Sequence, residues 1–342
     1  MKTKKILIQS SVLLLLIAIT FYIILGDQSI SGIFDAVCNA DIKYVASAMA
    51  SMAMYVFLGG YCIKAIFKYM NQTMSAKRYL KYSFIEFFFS ALTPSSTGGQ
   101  PMQVVAMSKD GYRAADSTVA LIIIALLYRM TLLLFTGLFF LFDFGFALSY
   151  MSHVSLIFKI GLLTNILFAL LLVLVLFSQN FVRKAGKAII RFLCMIKICK
   201  KSKLEKYYKR VDSYTTQYHS SSIFMMTHKK LMLKSFVILL LQRLSILSVA
   251  FFVYQAMGLS ELSFFQIIGI QLILSICVDI MPFPGSVGIS ETVFMYLYKS
   301  VFGANILPAI LLCRGINFYL VFILSAIVVN ATYIRKILKC TR

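Results

Sequence analysis

Residues 279–291 read D-I-M-P-F-P-G-S-V-G-I-S-E and fall where an apolar run should continue as a membrane helix. Pro282 and Pro284 cannot complete the helical hydrogen-bond ladder, and Gly285 and Gly288 weaken it, so the helix must break here. Asp279 and Glu291 place a carboxylate at each end of the break. Non-helical backbone at bilayer depth survives only where protein or a water-filled cavity covers it, which makes this stretch a candidate binding site.

The surrounding chain is that of an all-α integral membrane protein. Sixty per cent of its 342 residues are apolar, the mean hydropathy is +0.87, and several uncharged runs approach the length needed to cross a bilayer. The spans are expected at 6–25, 45–66, 117–142, 154–177, 235–257, 262–280 and 304–329. No segment has the mixed composition of a soluble domain, so 1–342 reads as one polytopic bundle. The formal charge of +22 lies mainly in loops and tails, which marks cytoplasmic connections against anionic lipid headgroups and not a nucleic-acid surface. Seven cysteines and three histidines include no C-x-x-C pair, so neither a metal nor a cofactor is expected.

A second break lies at 93–101, T-P-S-S-T-G-G-Q-P, where Pro94, Gly98, Gly99 and Pro101 interrupt two short apolar segments, 82–92 and 102–108. Eleven residues rise roughly half of the hydrocarbon thickness of about 30 Å, so 82–108 reads as a re-entrant or broken hairpin. Four of the chain's five prolines fall in the two breaks. Residues 45–142 and 235–330 then share one order: full span, short helix, break, short helix, and a full span bearing an arginine. Aligning Pro94 with Pro282 sets Gln103 against Glu291 and brings Arg129 and Arg314 to comparable positions. Basic loops place the opening span of the first unit inward and that of the second outward, so the repeats are inverted. Both termini are then cytoplasmic. Residues 262–280 are counted as long enough to span, which leaves either six full spans with two hairpins or ten spans.

The units are joined by 181–234, with 14 Lys and Arg against Glu205 and Asp212. Apolar spacing at Ile189, Phe192, Leu193 and Ile196 fits a helix on the membrane surface; a solvated linker helix is the alternative.

Glu86, Asp279 and Glu291 stand against Arg129, Arg243 and Arg314 inside apolar segments. Each charge at a helix centre costs about 2.5 to 3.5 kcal/mol, so these groups must pair with one another or meet a polar ligand. Arginine grips phosphate oxygens with a planar fork, and helix N-termini exposed near Gln100 and Gly288 add N–H donors. The set suits a phosphodiester headgroup. The carboxylates could bind a cationic part of the same headgroup or take up a proton. No Walker loop, nucleophile–base pair or H-E-x-x-H motif supports catalysis.

The breaks at 93–103 and 281–291, the paired Arg129 and Arg314, and the basic linker resemble the membrane domain of bacterial lysylphosphatidylglycerol synthases and its stand-alone relatives. The P-x-P-G-x-x-G-x-x-E segment is the most specific part of the likeness. The resemblance implies a flippase-like lipid translocase of the bacterial cell membrane, acting on phosphatidylglycerol or its lysyl ester and contributing to surface charge and resistance to cationic antimicrobial peptides. Full-length relatives add a soluble aminoacyltransferase domain using lysyl-tRNA. With no such domain before Arg342, transport is expected in place of enzymic synthesis. Phosphatidylglycerol lysyltransferase activity, alone or as a subunit, and a membrane scaffold for a soluble lipid-modifying enzyme are the competing readings; a homo-oligomer stays open.

Overall fold

The computed structural model describes residues 35–152, 154–196, 204–279 and 281–340. The expected first helix at 6–25 lies outside the described residues, as do Asp27, His153, Cys199 and Ile280. Among the described residues the regular structure is helical, and five stretches are long and apolar enough to cross a membrane.

Helix α1 spans Ile42–Tyr69 and begins on Asp41, whose carboxylate accepts from the Lys43 amide at 2.9 Å. Its 28 residues rise about 42 Å, more than the hydrocarbon core requires. Helix α2, Ala76–Ala91, and α3, Gly99–Lys109, fold back on each other around a tight turn at Pro94–Ser96. Helix α4, Ala114–Phe142, is another long span, followed by α5, Phe144–Ser152, and α6, Ser155–Phe177. The linker supplies α7, Gln179–Met195, and α8, Leu204–Thr227. Helix α9, Lys229–Ala256, lies along α1 in the most extensive helix pair of the molecule.

Helix α10 covers only Phe264–Val278. Its 15 residues rise about 22 Å, short of the hydrocarbon thickness, which corrects the expectation of a full span at 262–280. The cause is local: the Ser263 side chain caps the Gln266 amide while Gln266 reaches back to Ser263, and that capping box fixes the helix start beyond Leu262. After a turn at Pro284–Ser286 comes α11, Ile289–Phe302. The expected final span at 304–329 falls within a stretch long and apolar enough to cross a membrane, and it contains a π-helical turn. Helix α12, Ile306–Arg314, passes through a π-helical turn at Gly315–Tyr319 into α13, Leu320–Cys340.

Between helices in lipid, close approach of backbones replaces hydrophobic drive. Gly161 of α6 lies so near α10 that a β-carbon there would come within 2.3 Å of the Ile276 carbonyl oxygen. Gly60 of α1 is similarly tight against Tyr79 of α2, at 2.6 Å.

The buried side chains form two main cores stacked end to end along α1, α4 and α9. One contains Leu58–Phe67 of α1, Val119–Leu126 of α4 and Leu231–Leu239 of α9, together with α2, α3 and α8. The other takes Ala48–Val56, Leu132–Phe139 and Leu247–Tyr254 from the same three helices, together with α10, α11 and α12. Between them runs a seam that carries Tyr55, Tyr128, Arg129, Gln242 and Arg243.

The linker is not a solvated connection. Helix α8 buries Thr215, Tyr218, Ser221, Ser222 and Met225. Ser221 Oγ donates to the Asp116 carboxylate at 2.6 Å, Ser222 Oγ to the Leu176 carbonyl at 2.6 Å, and Tyr214 to Thr118 Oγ1 at 2.7 Å. Helix α7 pairs with α8 through Arg183 and Lys187 on Asp212, at 3.4 and 2.9 Å, and leaves Ile189, Phe192, Met195 and Ile196 exposed.

Candidate functional site

The two breaks have closely similar backbones. Each enters through an extended residue, Thr93 or Phe283, turns at a proline, Pro94 or Pro284, and continues through two left-handed residues. These are Ser95 and Ser96 at φ 50° and 56°, and Gly285 and Ser286 at φ 59° and 52°. Each turn delivers the chain to a helix capped by glycine, Gly98 or Gly288. Pro94 therefore corresponds to Pro284 and not to Pro282, a two-residue correction that sets Pro101, not Gln103, against Glu291. Prolines repeat at spacing two in 279–291, so sequence alone admitted either register. The turns pack on each other, and Ser95 Oγ donates to the Met281 carbonyl at 3.4 Å.

Gly99 permits the first hairpin to close. A β-carbon there would sit 2.7 Å from the Glu86 carbonyl oxygen and 3.1 Å from Glu86 Oε1. Thr93 Oγ1 receives the Gly98 amide at 2.8 Å, so the break carries its own cap.

Four of the six membrane-depth charges form ion pairs. Arg314 donates through Nε to Glu291 Oε1 at 2.6 Å and through Nη2 to the Gly285 carbonyl at 3.2 Å. Glu291 Oε2 accepts from the Gly288 amide and from Ser290 Oγ, both at 2.8 Å. This pair is shielded, with the side chains 14% and 2% exposed, and it fastens the second break to α12. Arg129 donates to Asp279 at 3.1 Å and to Asn165 Oδ1, and its guanidinium lies 5.0 Å from the Phe168 ring centre. Here the side chains are 25% and 33% exposed, so the Arg129 pair is the more open one.

Among the described residues, neither Arg243 nor Glu86 forms an ion pair. The Arg243 guanidinium lies 3.6 Å from the centre of the Tyr128 ring and donates through Nη2 to the Tyr128 carbonyl at 3.1 Å. Glu86 accepts from Ser90 Oγ at 3.0 Å. Glu86, Gln100 and Gln103 help line a cavity of about 100 Å³ at the seam, with Tyr55, Tyr128 and Gln242. Gln103 is buried and donates to the Tyr82 carbonyl at 3.1 Å.

Tyr55, Tyr128, Asn165 and Gln242 were not among the sequence-derived site residues. Asn165 had a usable signal, an amide inside the otherwise nearly apolar run 155–177. The tyrosines had none, because the chain holds 19 of them. Among the described residues no group of three or more His, Cys, Asp or Glu stands where it could hold a metal ion.

The family described as lysylphosphatidylglycerol synthase TM region matches residues 6–325. A protein named UPF0104 membrane protein from Archaeoglobus fulgidus is 25% identical over 281 residues, covering 80% of this chain and 82% of its own length.

Proposed function

The chain belongs to the lysylphosphatidylglycerol synthase transmembrane-region family, and from that premise we propose that it is a lipid translocase. It moves an anionic or aminoacylated phospholipid, such as lysylphosphatidylglycerol, between the leaflets of the bacterial cell membrane. On this reading it contributes to cell-surface charge and so to resistance against cationic antimicrobial peptides.

The observation that carries this reading is the part-open Arg129–Asp279 pair, seated where α10 ends and the second break begins. Asp279 occupies the guanidinium as a phosphodiester oxygen would, so an arriving headgroup can exchange for Asp279 on Arg129, and the ammonium of an aminoacylated headgroup can take up the carboxylate that is released. Arg314, engaged by Glu291 and Gly285, is the less available arginine.

The fold assists as two inverted units, 45–142 and 235–330. Supporting this are the matched backbones of the two breaks, their mutual contact, and the packing of α1 on α9, the helices that open the units. Discontinuous helices at the interface of inverted units are where transporters place their substrates. The basic face of α7 rests on anionic headgroups, and both termini face the cytoplasm.

Reconstitution in liposomes containing headgroup-labelled phosphatidylglycerol or its lysyl ester, with leaflet accessibility followed in time, tests the proposal. Loss of asymmetry should outpace that in protein-free liposomes for at least one of these lipids. Equal rates for both would refute it.

A further inference from the structure

The seam cavity has a chemistry that a phosphate held by arginine leaves unused. Apolar side chains such as Ile63, Leu121 and Ile124 make up much of its wall, and several oxygen-bearing side chains are set among them. Glu86 brings a carboxylate, and no lysine or arginine among the described residues lies within ion-pair distance of it. Ser83, one helical turn earlier on the same face of α2, is only 8% exposed, and its hydroxyl has no hydrogen-bond partner. A hydroxyl buried in this way without a partner costs free energy and calls for a ligand.

Two amides complete the set. Gln103 of α3 donates its Nε2 to the Tyr82 carbonyl at 3.1 Å, and Gln242 of α9 donates its Nε2 to the Tyr55 carbonyl at 3.2 Å. With the nitrogens held by backbone, the amide oxygens are the ends free to face the cavity. Of the nearby charges, Asp279 is held by Arg129, and Arg243 of α9 is drawn onto the Tyr128 ring, its buried Nε keeping no hydrogen-bond partner. Tyr55 of α1 and Tyr128 of α4 face the space as phenols, while α13 meets α2 through apolar rings such as Phe322.

A carboxylate, a hydroxyl and two amide oxygens around one part-open space make a hard-cation site carrying a single negative charge. A divalent ion would be left under-neutralised by one carboxylate. A proton would satisfy Glu86 and leave the Ser83 hydroxyl and both amide oxygens as they are. We propose that this cavity binds one monovalent alkali cation, coordinated by Glu86, Ser83, Gln103 and Gln242, with water filling the remaining volume. Such an ion fastens both arms of the first hairpin to α9, in the position where transporters with broken helices hold their coupling ions. The site stands independently of which lipid moves, because ion binding is measurable without transport.

The full chain, purified in detergent, is heated in NaCl, KCl or choline chloride at equal ionic strength. Sodium or potassium should raise the Tm saturably above choline, and Glu86→Gln should abolish that dependence. Ser83→Ala should raise the half-saturating concentration about tenfold, as expected for loss of one oxygen contact to a charged ligand. Identical curves in all three salts, or undiminished alkali dependence in Glu86→Gln, would overturn the proposal. A saturable rise with methylammonium but with neither alkali ion would assign the cavity to an amine and overturn it equally. Should Glu86→Gln not fold, an unchanged half-saturation in Ser83→Ala is the refuting result.

Discussion

At the scale of single residues, the Glu291–Arg314 pair is the most shielded ion pair among the described residues. Removing one partner of such a shielded pair leaves an uncompensated charge and costs about 3 to 5 kcal/mol. Glu291→Ala and Arg314→Ala should each lower the Tm in detergent strongly, while the double variant should lose much less than the sum of the two. Additive losses would mean that the two groups act separately. Asp110, in the turn after α3, supplies a pH-dependent counterpart. Burial by itself would raise its carboxyl, but hydrogen bonds from Lys81 and Tyr82 outweigh that and hold it below its ordinary value. The stabilisation is therefore complete above about pH 3.9 and is lost as pH falls through the lower folded value. Asp110→Asn should flatten the acid limb of a Tm-against-pH curve, and an unchanged limb would exclude this role. The sequence identified which charges needed partners but not which partners they take. Arg129 and Asp279 lie 150 positions apart, and only packing decides that they meet while Glu86 and Arg243 do not.

At the scale of elements, backbone proximity sets what the helices tolerate. Gly161→Ala would thrust a methyl to 2.3 Å from the Ile276 carbonyl oxygen, a backbone atom that cannot swing aside. Gly137 in α4 has nothing within 4 Å of the same position, so Gly137→Ala should be neutral or gain up to about 1 kcal/mol from helix propensity. The expected order of Tm is Gly137→Ala at or above wild type and Gly161→Ala well below it. A reversal would show that α6 does not depend on close contact with α10. Both breaks were legible because proline and glycine punctuate an apolar background. The shortness of α10 was legible too, in the S-x-x-Q pattern at Ser263–Gln266, but counting apolar residues obscures a cap. The π-helical turn after Arg314 carries no such signature.

At the scale of the whole molecule, composition alone established the membrane class, since no soluble fold accommodates uncharged runs of this length. The two-core arrangement was not legible. Which half of α1, α4 or α9 joins which core depends on neighbours distant in sequence. The burial of α8 was equally hidden, because the groups it docks with are Thr215, Ser221 and Ser222, residues that read as solvated in isolation. Orientation is open to direct measurement. Cys38 is exposed and should react with an impermeant thiol reagent from outside the cell, whereas Glu205→Cys, in the basic linker, should react only after the membrane is opened. Cys194 is buried and a poor reporter. Labelling of both positions from one side would contradict the proposed topology.

The docking of α8 has a mechanical consequence. Asp116 and Thr118, which receive Ser221 and Tyr214, stand in the first turns of α4, and Arg129 stands midway along the same 29-residue helix. A helix of that length is a rod of about 43 Å, gripped near its N-terminal end by α8. Torque applied to that handle would be felt about 20 Å along the shaft, at the guanidinium that faces Asp279.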